Sequence, residues 1–378
     1  MQYRRLLILL LATLLLVASC SGTEDDDTGA GGAASSSSTS GPTPPPATST
    51  SSSTTSSAPQ PASPGPVTNG CGDIAPGTEL VITSTGSDFS VATADGKAVA
   101  LDLEGGALNE HDRTTLASVM ARDARSIRAV VPTGSEARPV LLDFHGYSGN
   151  AAQQLRYSRL GDVAGPRGYL VVAIDGRDQI RRWVLADTDA EPDAMGASDV
   201  AVVDAVLDLI LEPLCGSTDA IHAAGMSNGA VFAAVYGCAS RHGVDAVATV
   251  AFTTGRAGCG DDSQIPTLAI HGTGDPVVPY EGRDLPLIRT VLGWSLEPAE
   301  EAMQHKADLN GCDGADDERI GADVTRRTWR NCDAETVFYR VDGGGHGWPG
   351  PGQPASGFGR TTETIDATQL IVDFFDRN

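Results

Sequence analysis

Five short stretches of the chain, 139–144, 169–174, 220–224, 246–252 and 267–270, are almost wholly apolar. Apolar runs of this length with no polar alternation predict strands buried on both faces of a parallel sheet. Earlier stretches at 79–83, 87–93 and 126–132 predict an antiparallel start, and 335–341 predicts one more strand. Between the runs the period changes. From Asp199 onward, Val200, Val203, Val206, Leu207, Ile210 and Leu211 recur at helical spacing, and the Asp199 carboxylate is placed to cap that helix. Residues 230–236 also read as helical, and 362–375 as a closing amphipathic helix. Strands alternating with helices predict an α/β domain, with a mostly parallel central sheet covered by helices on both faces. Ligands of such sheets gather beyond the carboxyl ends of the strands, so the residues just after each apolar run are where chemistry is expected.

The N-terminal sixth of the chain has a different character. Arg4 and Arg5 precede the apolar run 6–17, which is too short to span a bilayer and has the charged start of a secretory signal peptide, assigned to 1–19. It ends in Val17-Ala18-Ser19-Cys20, which resembles a bacterial lipobox; the resemblance implies cleavage before Cys20, lipidation of its thiol and anchoring at the outer face of the membrane. Ordinary signal cleavage with Cys20 incidental is the alternative. Residues 20–66 carry that cysteine and then a Ser/Thr/Pro-rich stretch with little to bury, which predicts a disordered stalk. Its coil dimension is on the order of 35–40 Å. The folded, catalytic domain is assigned to 67–378.

Charge and cysteine content narrow the picture. Lys and Arg number 26 against 49 Asp and Glu, a formal net charge of −23 over 378 residues, which disfavours nucleic acid and polyanionic partners. Of 7 cysteines, setting Cys20 aside leaves Cys71, Cys215, Cys238, Cys259, Cys312 and Cys332. That even number fits disulfides in an oxidising compartment, with 15 connectivities open. There is no CxxC pair or His-Cys cluster at zinc spacing, and no metal is expected.

The strongest chemical signal is Gly225-Met226-Ser227-Asn228-Gly229, a G-x-S-x-G set between a predicted strand and a predicted helix. In that context the pentapeptide is a nucleophile elbow, which projects Ser227 from a sharp turn at the sheet edge. A serine hydroxyl needs a base, and the base needs a carboxylate to fix its tautomer. His346 lies in the glycine-rich loop Gly343-Gly344-Gly345-His346-Gly347 just past the predicted strand 335–341, a position that packing does not readily explain. Asp275 follows the strand 267–270 by a few residues; a turn-forming Asp before Pro276 is the plainer account of it. The order Ser227, Asp275, His346 is that of the α/β-hydrolases and not of the other common serine-protease arrangements. Two backbone N–H groups are needed for the oxyanion. Asn228, directly after the nucleophile, supplies one, and Tyr147 in the loop His145-Gly146-Tyr147-Ser148-Gly149 supplies the other, unless His145-Gly146 is only a strand-terminating turn.

Together these motifs resemble the secreted esterase group that contains polyhydroxybutyrate depolymerase-like proteins and feruloyl esterases, within the α/β-hydrolase superfamily. The resemblance runs over His145-Gly146-Tyr147, the Ser227 pentapeptide, His271-Gly272-Thr273-Gly274-Asp275 with Val278-Pro279-Tyr280, and His346-Gly347-Trp348-Pro349. It implies an α/β-hydrolase fold, nucleophile Ser227, acid Asp275, base His346, and neither metal nor organic cofactor. It further implies Trp348 and Tyr280 as aromatic walls of the substrate site, with a buried core tryptophan as the competing account of Trp348. Ala230 departs from the family, where many members carry another glycine, and residues 181–195 offer no substrate motif. The expected activity is hydrolysis of small or oligomeric carboxylic esters. An acyltransferase using the same triad and a surface-binding lipoprotein with a lapsed site are the alternatives.

Overall fold

The computed structural model describes residues 72–104, 106–134, 136–184, 198–253, 255, 264–283, 296–353 and 357–378. The signal segment 1–19, the stalk 20–66 with Cys20, and Cys71 and Cys259 lie outside them. The described strands are β1 (Glu79–Ser84), β2 (Phe89–Thr93), β3 (Ser126–Val130), β4 (Arg138–Phe144), β5 (Leu170–Ile174), β6 (Gly216–Met226), β7 (Ala246–Val250), β8 (Thr267–Gly272), β9 (Ala315–Ile320), β10 (Val324–Trp329) and β11 (Thr336–Val341). They form one sheet in the order β2-β1-β3-β5-β4-β6-β7-β8-β11-β10-β9. Neighbours from β5 through β11 in that order are parallel, while the β1, β2 and β3 side and the β9–β10 hairpin pair antiparallel.

The helices are α1 (Glu110–Arg122), α2 (Ala151–Ser158), α3 (Leu160–Ala164), α4 (Asp199–Ile210), α5 (Asn228–Ala239), α6 (Ala299–Leu309) and α7 (Ala367–Phe375). Side-chain alternation on the central strands divides the core between the two faces. Val140, Leu142 and Phe144 of β4 join one apolar cluster with α4 and α5, whereas Leu141 joins the other with α2 and α7. This is why β5, β7 and β8 are mostly apolar: every position of each is buried, on both faces.

The chain runs from β4 to β5 on one side, then returns to place β6 on the other side of β4. The carboxyl ends of β4 and β6 therefore flank the topological switch point, where an open α/β sheet leaves a crevice.

Asp199 opens α4 but does not cap it. Its carboxylate is fully buried, accepts from Arg125 Nη2 at 2.8 Å and from the Val184 amide at 2.8 Å, and so is committed to tertiary contacts. The true side-chain caps are elsewhere: Asn109, Asn150 and Asp366 accept first-turn amides of α1, α2 and α7. Cys312 and Cys332 form a disulfide, and Cys215 and Cys238 are each disulfide-bonded to partners outside the described residues.

Candidate active site

Ser227 links the end of β6 to the start of α5, with φ 55° and ψ −121°. A non-glycine residue at positive φ is strained, and such strain persists only where surrounding structure holds it. Here the Ser227 amide donates to Val250 O at 2.9 Å, and its carbonyl accepts from Ala230 and Val231 in the first turn of α5. Glycine is needed on both sides of the turn. A Cβ on Gly225 would meet the Gly229 carbonyl, and one on Gly229 would meet the carbonyls of Phe144 and His145 at the end of β4. The elbow thus sits directly against the β4 loop, and a Cβ on Gly146 would stand 3.4 Å from that of Ser227.

That loop carries Tyr147, which is half-buried, as are Ser227 and Asn228. Among the described residues, neither the Tyr147 nor the Asn228 amide donates a hydrogen bond. The Asn228 amide stands in the first turn of α5, where unpaired N–H groups favour an anion.

Asp275 and His346 meet in the structure. The parallel register that places Val341 beside Gly272 brings the loops after β8 and β11 together. His346 Nδ1 then lies 2.7 Å from Asp275 Oδ2, with both side chains buried. Asp275 Oδ1 accepts the amides of Val277 and Val278 at 2.8 Å each. Burial opposes ionisation of Asp275, but hydrogen bonds from His271 and then His346 outweigh it and hold the carboxyl well below its usual range. A carboxylate kept ionised against imidazole Nδ1 requires the proton on that nitrogen, which frees Nε2 to act as a base.

Trp348 and Tyr280 do not line the site. Trp348 is completely buried in the apolar cluster beneath α7, and its indole N–H donates to Thr368 Oγ1 at 3.1 Å. Tyr280 packs in a separate cluster, stacked 6.3 Å from Phe338, with its hydroxyl donating to Glu300 at 2.8 Å. In both cases the polar tip is satisfied inside the protein, so each ring is spent on packing rather than exposed to a ligand.

A residue that the sequence left without a role, Trp183, binds both Asn228 and the loop after β4. Its backbone N–H donates to Asn228 Oδ1 at 2.8 Å, and Asn228 Nδ2 donates back to its carbonyl at 3.3 Å. Its indole N–H donates to His145 O at 2.9 Å. The ring stacks on Phe232 with centroids 4.4 Å apart and meets Phe144 edge-on. Ser148 N–H to Arg181 O and Gly176 N–H to His145 Nε2 complete the clip.

Known proteins with similar sequences point the same way. The chain is 29% identical over 293 residues to the "Putative esterase NocK" of Nocardia uniformis subsp. tsuyamanensis, covering 70% of this chain and 83% of that one. It is 30% identical over 164 residues to the "Probable feruloyl esterase C" of Aspergillus terreus, covering 42% of this chain and 54% of the relative. Against the "Feruloyl esterase B" of Piromyces equi it is 26% identical, spanning 57% of this chain and 40% of the relative. Among solved structures, an acetyl xylan esterase from Aspergillus awamori aligns with a TM-score of 0.49 at 14% identity, over 68% of this chain and 96% of that one. No family model matches the chain. Strand order and the serine elbow give the chain an α/β-hydrolase fold, and its sequence is similar to those of proteins named as esterases.

Proposed function

We propose that the protein is a serine esterase, exported and lipid-anchored through Cys20, with Ser227, Asp275 and His346 as its catalytic triad. The observation that carries the reading is the buried Asp275–His346 hydrogen bond, at the same sheet edge as a strained serine elbow. Ser227 Oγ attacks the ester carbonyl as His346 Nε2 takes its proton. The amides of Tyr147 and Asn228 stabilise the oxyanion, and Asp275 holds the imidazolium. The intermediate collapses as His346 returns the proton to the departing alcohol, leaving an acyl-enzyme. Water, deprotonated by the same imidazole, then releases the acid and restores Ser227.

The substrates are small or soluble esters: acetyl, aryl or feruloyl esters of plant polysaccharide, or short hydroxyalkanoate oligomers. The names of the sequence relatives support the feruloyl class. The test is a panel of p-nitrophenyl esters of increasing chain length, methyl ferulate and hydroxybutyrate oligomers, assayed with the parent protein and Ser227→Ala. Loss of turnover on the order of 10³-fold or more is expected for the variant. Retention of more than a thousandth of parent turnover overturns the nucleophile assignment, and transfer to a sugar acceptor outrunning release of free acid overturns hydrolysis.

A further inference from the structure

The triad uses one imidazole, yet Asp275 has two. His271, on β8, places Nε2 3.3 Å from Asp275 Oδ2, the oxygen that also faces His346 Nδ1 at 2.7 Å. We propose that His271 is a positioning residue, whose Nε2–H is shared between the Val278 carbonyl and Asp275 Oδ2 and helps to hold the carboxylate square to His346. The proposal rests on the serine-esterase reading above and deepens it.

The donor role follows from the acceptors around the ring. His271 Nε2 also lies 3.0 Å from the carbonyl of Val278, an oxygen that can only accept, so this nitrogen carries the proton. The other nitrogen, Nδ1, is buried with no partner. His271 lines a small cavity together with Thr361, whose Oγ1 is likewise buried without a partner, and Arg360. Of the charged groups around it, Asp275 approaches Nε2, and Arg360 lines the same cavity. The Arg360 guanidinium is itself bound to Asp323 and to the Asp342 carbonyl. Tyr280 pins the ring edge-on at 5.5 Å between centroids.

Oδ1 is held by two backbone amides, and Oδ2 by His346 at 2.7 Å with His271 Nε2 approaching at 3.3 Å, so the carboxylate has one orientation. Removing the His271 donor leaves negative charge on Oδ2 to be met by His346 alone. His346 then binds its proton more tightly, and the acid limb of the kcat/KM profile moves to higher pH.

The experiment compares His271→Gln, which keeps an amide N–H near the position of Nε2, with His271→Asn and His271→Leu, which do not. Each is assayed with p-nitrophenyl acetate across pH 5–9, with thermal melts and fluorophosphonate labelling of Ser227 alongside. His271→Asn and His271→Leu are expected to lower kcat about tenfold or more with KM little changed. Both move the acid limb up by about half a pH unit or more. His271→Gln is expected to restore most of both. Met303→Ala, in the neighbouring cluster and without contact to His271, serves as the packing control: it lowers the melting temperature and leaves the acid limb in place. An acid limb unmoved in His271→Asn, or His271→Gln as impaired as His271→Asn, overturns the proposal. If instead fluorophosphonate fails to label Ser227 of the parent protein, the esterase reading itself falls; normal labelling with an unmoved limb sinks only the role of His271.

Discussion

Trp183→Phe isolates the link between the oxyanion loops. The change removes the indole N–H that reaches His145 O at 2.9 Å, and keeps an aromatic ring against Phe232 and Phe144. The backbone bonds between Trp183 and the Asn228 side chain survive because they do not involve the indole. A buried carbonyl left without its donor costs about 1–3 kcal/mol. If the whole of that loss falls on the transition state, kcat drops by roughly 5- to 150-fold. The loop concerned carries Tyr147, so the expected outcome is a fall in kcat of at least about fivefold with KM nearly unchanged. A boronic acid that mimics the tetrahedral intermediate should lose affinity in proportion to kcat/KM, because only it engages both amides as the transition state does. The assay pairs steady-state kinetics on p-nitrophenyl acetate with boronate inhibition, well below the melting temperature. Unchanged kcat and boronate affinity in a protein whose melting temperature has dropped would refute the argument and reduce Trp183 to a packing residue.

Two further outcomes are expected. Burial raises the carboxyl of Asp143 to about 6, against weaker lowering by hydrogen bonds from Ser158 and Gln154. Its folded-state pKa lies above the unfolded value, so the stability it contributes is full below about pH 4 and is lost as pH rises through 6. Asp143→Asn does not titrate, and its stability relative to the parent should therefore climb between pH 4 and pH 8 by on the order of 2–3 kcal/mol; denaturant melts at the two pH values check this, and a difference independent of pH contradicts it. Cys20→Ser should release the protein from membranes into the soluble fraction with esterase turnover retained, read by fractionation and metabolic labelling with an alkyne fatty acid. Equal labelling of parent and variant removes the lipid anchor from the proposal.

The buried strands were legible because parallel strands covered on both faces are mostly apolar, as β4, β5, β7 and β8 are. The β9–β10 hairpin was not. It occupies the sheet edge, where Arg326 pairs with Glu318, and Arg327 with Asp317, across the strands, so charge stands where apolar alternation would have marked a strand. Helix α1 was equally hidden, since Glu110-His111-Asp112-Arg113-Thr114-Thr115 opens it without an apolar stripe. At the site, Asp275 and His346 could be found because glycine-rich loops after strands leave their polar side chains unexplained by packing. Trp183 could not, because it engages Asn228 through its backbone, which leaves no residue-type signature. Trp348 and Tyr280 misled for a related reason: adjacency to a catalytic motif in sequence says nothing about which side of the backbone a ring occupies.

The hydrogen bond between Asp275 and His346 closes a separation of 71 residues, and it forms only where β11 lies in register against β8. A one-residue slip of that strand would carry the imidazole roughly 3.3 Å along the sheet and turn its neighbours to the opposite face. On the proposed triad, a ribosome-bound chain that still lacks β11 bears an inert alcohol at Ser227, however well its earlier strands have condensed. Hydrolytic competence then becomes a completion mark, acquired when the last parallel strand docks.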